Sequence, residues 1–208
     1  MESRSVVDGA FRILRALPEA GTDRQVSRLA ELTGLPRPTV YRLLDQLRDA
    51  GAVDLADGRW TLSAGLVRIA RHVEPFAGLR RPASQVLRVL RRETGATVSL
   101  IVPSDGAFVV LESVLGGEPV PDTRPGATMP AFTAAGVLLG SAPSSGPGVL
   151  VDHGAEMNGL TCYAVPLTLP GGVRAALQIG SVAEPAERFA APLHHAAVAL
   201  TRHVTGNG

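Results

Sequence analysis

Arg42, flanked by Thr39 and Gln46 on one side and by Tyr41 on the other, forms a group able to read DNA by hydrogen bonding. An arginine guanidinium bridges O6 and N7 of guanine, and a glutamine carboxamide pairs with adenine. Thr39 and Tyr41 offer hydroxyls to phosphates or contact a thymine methyl, and Arg37 stands just ahead of them. Arg59 is a second basic contact, suited to the DNA backbone or the minor groove. Arg24 and Arg28 are either phosphate clamps or ordinary solvated surface. The other residue with chemistry to offer is Cys162, whose only local base is His153 with Asp152 or Glu156. Its place in the alternating run LTCYAV, on the parity of Leu160 and Ala164, makes it a packed or pocket-lining thiol rather than a nucleophile. His194 and His195 are adjacent, so they point to different sides of a helix and do not share a metal. The pairs Asp105-Gly106 and Gly171-Gly172 read as hairpin turns, not phosphate loops. No metal, no cofactor and no enzymatic activity are expected.

The DNA-reading group must be held by the run Leu29–Leu47, LAELTGLPRPTVYRLLDQL. One short helix ends at Gly34, Leu35-Pro36 turns the chain, and a second helix opens with Pro38 and runs towards Ala50. Val40, Leu43, Leu44 and Leu47 form its inward stripe, and at about 100° per residue Arg42 points almost directly away from it. Asp45 and Asp49 are poor neighbours for DNA, so they face away or pair with Arg48. Ahead of this pair, the spacing predicts a helix over Ser5–Leu17 with Val7, Ala10, Phe11, Leu14 and Leu17 inward. Ser27 is the expected cap of the next helix, which carries Val26, Leu29, Ala30 and Thr33. After Gly51, VDLADGRWTL alternates around Asp57-Gly58, a hairpin with Trp60 packed beneath it. Three helices and a hairpin make a winged helix-turn-helix over residues 1–62, followed by a linker helix within 63–76 whose helical run is Ser63–Val73.

Residues 77–208 read as α+β. A helix is expected over Pro82–Thr94, with Ala83, Val86, Leu87 and Leu90 inward. Strands are expected at Thr97–Val102, Ala107–Leu115, Glu118–Thr123, Thr161–Leu169 and Val173–Ser181. Phe132–Leu139 and a final segment carrying Leu193, Ala196, Ala197, Leu200 and Val204 complete the helices. Ser141–Gly148 is a loop, and Pro170-Gly171-Gly172 is a turn.

Composition agrees with a globular protein: 45% of the 208 residues are hydrophobic and 19% charged. The net charge of +1 conceals an asymmetry. Residues 1–92 hold 16 Arg against 10 acids, or +6, while residues 93–208 hold 4 Arg against 9 acids, or −5. A basic first half suits a polyanion, and the second half does something else. No run is apolar enough to span a membrane, no signal-peptide pattern opens the chain, and one cysteine cannot make an internal disulfide. A cytoplasmic protein is expected.

These segments resemble the IclR family of bacterial transcriptional regulators. SVVDGAFRILRAL, LAELTGLPRPTVYRLLDQLRDAGAV and DGRWTLSAGLVRIA are similar to the family's opening helix, helix-turn-helix, and wing with linker helix. VLRRETGATVSLIV, RPGATMP followed by TAAG, and GLTCYAVPL followed by GGVRAALQIGS resemble pieces of its effector domain. The resemblance implies a C-terminal GAF-like domain that takes an organic acid or aromatic metabolite. It also implies a homodimer or dimer of dimers on a palindromic operator, more often repressing than activating. Carried over residue by residue, it puts Thr133, Ala134, Ala135 and Gly136 at the start of a pocket-side helix, where N–H groups favour a carboxylate. Leu160, Cys162, Gln178 and Gly180 fall on the pocket wall. The stretch SAPSSGPGVLVDHGAEMN is shorter than the family's, and Phe132 stands where His is frequent. The alternative reading is a regulator without a ligand, whose second domain dimerises or binds another protein.

Overall fold

In the computed structural model, which describes residues 5–74, 78–141, 150–154, 156–169, 172–182 and 184–205, a serine cap starts the first helix. The Ser5 side chain accepts from Val7 N–H at 3.2 Å and opens α1, Val6–Ala16. The face that α1 buries is the expected one only in part: Leu17 is buried and Ala10 and Leu14 pack against the core. Gly9, Ile13 and Leu17, four residues apart, go inward, while Val7 and Phe11 are 62% and 54% exposed. The glycine is the reason. A Cβ at Gly9 would sit 2.9 Å from Leu43 Cδ1, so the helices approach most closely where α1 has no side chain.

The second helix, α2 (Gln25–Thr33), starts from Arg24 in a left-handed conformation at φ 50°, not from a Ser27 cap. Gly34, also left-handed, ends it. The third, α3 (Arg37–Asp49), buries Val40, Leu43, Leu44 and Leu47, as its stripe requires. Strands β1 (Val53–Ala56) and β2 (Arg59–Leu62) pair antiparallel with Leu55 opposite Trp60. Asp57 and Gly58 both have positive φ, the type I′ geometry that matches strand twist. The following helix, α4, spans only Gly65–Ala70 and buries none of its residues. It is shorter than the expected Ser63–Val73 run, although Ser63 Oγ does accept from Gly65 N–H at 3.1 Å. These elements form one compact unit, Met1–Val73; Glu74–Gly208 form a second.

In the second unit, α5 (Arg80–Thr94) ends at left-handed Gly95. Then come β3 (Thr97–Ser104), β4 (Ala107–Val114), β5 (Thr128–Met129), α6 (Ala134–Gly140), β6 (Leu150–His153), β7 (Thr161–Thr168), β8 (Arg174–Ser181) and α7 (Ala190–Thr205). The sheet order is β5-β4-β3-β8-β7-β6, with every neighbouring pair antiparallel. Helices α5 and α7 cover one face over Leu87, Leu90, Val98, Leu100, Leu177, Ile179, Leu193 and Leu200. Helix α6 covers the other over Ile101, Val110, Leu138, Cys162, Ala164 and Ala176. Glu118–Thr123 is irregular rather than a strand, because Pro119 and Pro121 supply no N–H to a ladder. Strand β6 lies in a stretch where no element was expected. The expected loop Ser141–Gly148 and the turn Pro170-Gly171-Gly172 fall, apart from Ser141 and Gly172, outside the described residues, as do residues 75–76 of the linker. The architecture is thus an N-terminal winged helix-turn-helix with a C-terminal α+β unit. No helix among the described residues is long and apolar enough to cross a membrane.

Candidate nucleic-acid interface and small-molecule cleft

Burial of the Val40, Leu43, Leu44 and Leu47 stripe fixes what α3 shows to solvent. Arg37, Tyr41, Arg42 and Gln46 are exposed and Thr39 is half-buried. Thr39, Arg42 and Gln46 stand three and four residues apart, so their side chains line one face of the helix. Among the described residues, no ion pair engages Arg24, Arg37, Arg42 or Arg59. Arg28 is held by Glu31 at 3.2 Å. Arg48 is held by Asp45 at 3.2 Å and Asp49 at 3.8 Å, and its guanidinium carbon lies 5.8 Å from the Trp60 ring centre. Arg48 thus gathers the two acids of α3 onto itself. Arg37 and Arg42 are left as exposed cations with no ion pair among the described residues. Arg59 is exposed at the first position of β2, directly after the turn.

Gln25 makes a contact with the wing that the sequence did not reveal. Its side chain is buried and makes two hydrogen bonds to one residue of the wing. Gln25 Nε2 donates to the Trp60 carbonyl at 2.9 Å, and Trp60 N–H donates to Gln25 Oε1 at 2.9 Å. The carboxamide therefore adds itself to β2 as an extra strand would, and pins the hairpin to α2. A lone glutamine at the head of a helix carries no sequence signal for such a contact.

In the second unit, three neighbouring strands set a row of small and polar side chains on the face covered by α6. Thr97 pairs with Gly180 and Ser99 with Gln178 across β3 and β8, and Cys162 pairs with Gly180 across β7 and β8. With Leu160, Glu156, Val120, Pro121 and Thr123 they enclose a cleft of about 10 Å³, room for a single water. Leu160, Cys162, Gln178 and Gly180 thus come together as expected wall residues. Thr133, Ala134, Ala135 and Gly136 do not line the cleft and meet it only through Gln178. Ala135 N–H donates to Gln178 Oε1 at 3.0 Å, and Gly136 N–H donates to Thr133 Oγ1 at 3.2 Å. Two of the leading N–H groups of α6 are therefore already engaged.

Burial, aided by the nearby charges of Asp152 and Glu156, pushes the Cys162 thiol up to about 12. It stays protonated at neutral pH and is a poor nucleophile. His194 Nε2 lies 3.4 Å from Tyr163 OH, with the rings edge to face, which gives it a structural contact.

Residues 6–55 match the IclR helix-turn-helix domain. The HTH-type transcriptional regulator XynR of Escherichia coli strain K12 is 29% identical over 112 residues, 53% of this chain and 44% of that protein. KipR of Bacillus subtilis strain 168, also an HTH-type transcriptional regulator, is 27% identical over 96 residues, 46% of this chain and 38% of that protein. The matched stretches therefore span less than half the length of these curated relatives. Among solved structures, an IclR homolog from Microbacterium hydrocarbonoxydans complexed with 4-hydroxybenzoate superposes with a TM-score of 0.81 at 20% identity, covering 97% of this chain and 100% of that one. The IclR of Thermotoga maritima gives 0.70 at 23% identity, covering 95% and 98%.

Proposed function

We propose that the chain, whose residues 6–55 match the IclR helix-turn-helix domain, is a sequence-specific DNA-binding regulator of transcription of the IclR type, acting as a repressor and responding to a small molecule held in its second unit. The observation that carries this reading is the exposed row on α3, where Arg37 and Arg42 have no ion pair among the described residues while Arg48 occupies the acids. A recognition helix reads bases from its N-terminal half, and two copies read a palindrome. Helix α4 supports pairing with a second copy: it buries nothing and leaves Val67 and Ile69 69% and 68% exposed. A homodimer or dimer of dimers on the operator follows, with the effector shifting the balance between binding-competent arrangements. The 4-hydroxybenzoate held by the Microbacterium hydrocarbonoxydans homolog supports a ligand-holding role for the same fold. A second reading, a regulator that senses no ligand, is favoured by the 10 Å³ size of the cleft.

Selection of bound duplexes from a random pool tests the function. A recurring palindrome is the expected outcome; sequences no better than random would overturn the reading. On the selected site, Arg42→Ala should weaken binding by about 1–3 kcal/mol, roughly 5- to 150-fold in Kd, and relax the preference at one base position. Fluorescence anisotropy on the site and its single-base variants checks this, and an unchanged base preference would remove Arg42 from the reading residues. Arg59→Ala should instead weaken all duplexes alike and reduce the slope of log K against log salt by about one. A loss confined to the selected site would contradict that backbone role.

A further inference from the structure

Helix α5 carries five of the nine arginines in residues 77–208 and a single acid, Glu93. Burial of Ala83, Leu87 and Leu90 against the sheet fixes its outward face. At about 100° per residue, Arg81, Gln85, Arg88 and Arg92 fall within about 60° of one another on that face. All four are exposed. From Arg81 to Arg92 the row runs about 16 Å along the helix axis. Among the described residues, the one ion pair made by α5 is that of Arg80 with Glu112, off the row. Arg88 and Arg92 stand four residues apart, where like charges repel. Arg81 stands in the first turn, where the helix dipole is already positive; the dipole favours Arg91 and Arg92 in the last. Beside the row lies a trough of about 510 Å³, lined by Gln85, Arg88, Val89, Arg91, Arg92 and Val114, with no acid in its wall. Arg91 Nε donates to the Leu115 carbonyl at 3.2 Å, which steadies that wall. The acids of this unit do not mirror the row. Glu112 is held by Arg80, Asp122 by Arg124 and Glu184 by Arg188, Glu187 meets His153, and Glu118 accepts from Ser181 and Val182. The same unit of a second copy therefore offers no acidic strip of matching length among the described residues.

We propose that the outward face of α5 is a second DNA-contacting surface, which holds the phosphate backbone of a duplex without reading its sequence. The claim rests on the DNA-binding reading above and extends it to a helix outside the helix-turn-helix. Each strand of a duplex presents a phosphate about every 3.4 Å of axis, so a row of about 16 Å faces about five of them. A single small anion does not fill that length. Guanidinium forks pair with phosphate oxygens two at a time, and the Gln85 amide between them can donate to a further one. Contacts of this kind set position and affinity and carry no base information.

The test compares the full chain with a triple variant, Arg81→Gln with Arg88→Gln and Arg92→Gln. Both are titrated by fluorescence anisotropy, across a salt series, on a long random-sequence duplex and on the selected palindrome within long flanks. At low salt the variant should bind both duplexes roughly tenfold or more weakly, with the slope of log K against log salt reduced by about two to three per chain. Its ranking of single-base variants of the palindrome should match the parent's. Its melting temperature should not fall, because the row is exposed and two like-charged neighbours are gone. Lysine at the same three positions should restore the slope, since the contact needs the charge. An unchanged slope would overturn the proposal and leave the row to an acidic protein. A loss of affinity that comes with dissociation of the oligomer in sedimentation would overturn it too, and would make α5 an interface between copies. So would a loss confined to the palindrome. The random duplex keeps this proposal apart from the broader one. The slope measured there decides the α5 contact whatever the palindrome does, and a parent chain that selects no palindrome removes the regulator reading alone.

Discussion

Gly136→Ala should destabilise the second unit by about 3–5 kcal/mol and lower its melting temperature by about 10 °C or more. Gly136 lies in the first turn of α6, and its φ is not positive, so the cost is steric rather than conformational. A Cβ there would lie 2.2 Å from the Pro130 carbonyl oxygen, 2.7 Å from Ala131 Cα and 2.8 Å from Ala131 C. All three are backbone atoms, so no flexible side-chain end can swing aside. Helix α6 cannot retreat either. Ala134, Ala135 and Leu138 are fully buried against the sheet, and Ala135 N–H is bonded to Gln178. Gly140→Ala is the matched control, since its added Cβ would meet only Phe108 Cζ at an ordinary 3.7 Å. Scanning calorimetry of the two variants checks the claim; equal melting temperatures would show that the 130–133 segment yields.

Gln25→Ala should cost the first unit about 2–4 kcal/mol, because it strips both the N–H and the carbonyl of Trp60 of their partner at a buried site. Trp60 is the only tryptophan in the chain, so its fluorescence reports the unfolding of this unit directly. The urea midpoint of that signal should fall accordingly. Gln25→Glu should not restore it, since a carboxylate can accept from Trp60 N–H but faces the Trp60 carbonyl with no proton to give. With the hairpin no longer pinned to α2, the Arg59 contribution to DNA affinity should diminish, so adding Arg59→Ala in the Gln25→Ala background costs less than in the parent. A full additive loss would mean that Gln25 supports the fold without positioning the wing.

The parts of the molecule that were legible are those where a local rule and the tertiary packing agree. The α3 stripe was readable because four apolar residues at helical spacing all face one core, and the wing because Asp57-Gly58 suits only a tight I′ turn. On α1 the spacing placed Ala10, Leu14 and Leu17 correctly but also counted Val7 and Phe11, whereas packing there is decided by the absence of a side chain at Gly9. Glu118–Thr123 alternates like a strand, but its two prolines cannot pair. Two contacts were out of reach for any local rule. Gln25 meets a backbone 35 residues away, and Gln178 seals a helix 43 residues before it. Both are carboxamides standing in for backbone or ligand, and nothing in their neighbours marks them.

The sheet order β5-β4-β3-β8-β7-β6 also imposes a timetable. Strand β3 pairs with β4 as soon as the hairpin is made, but its other edge stays open until β8 arrives late in the chain. The winged helix-turn-helix needs nothing beyond Leu62 to close its core. At the roughly 5–20 residues per second of synthesis, the first unit can fold on the order of ten seconds before the second can complete its sheet. A newborn chain can thus hold a finished winged helix-turn-helix while its second unit is still an open-edged hairpin.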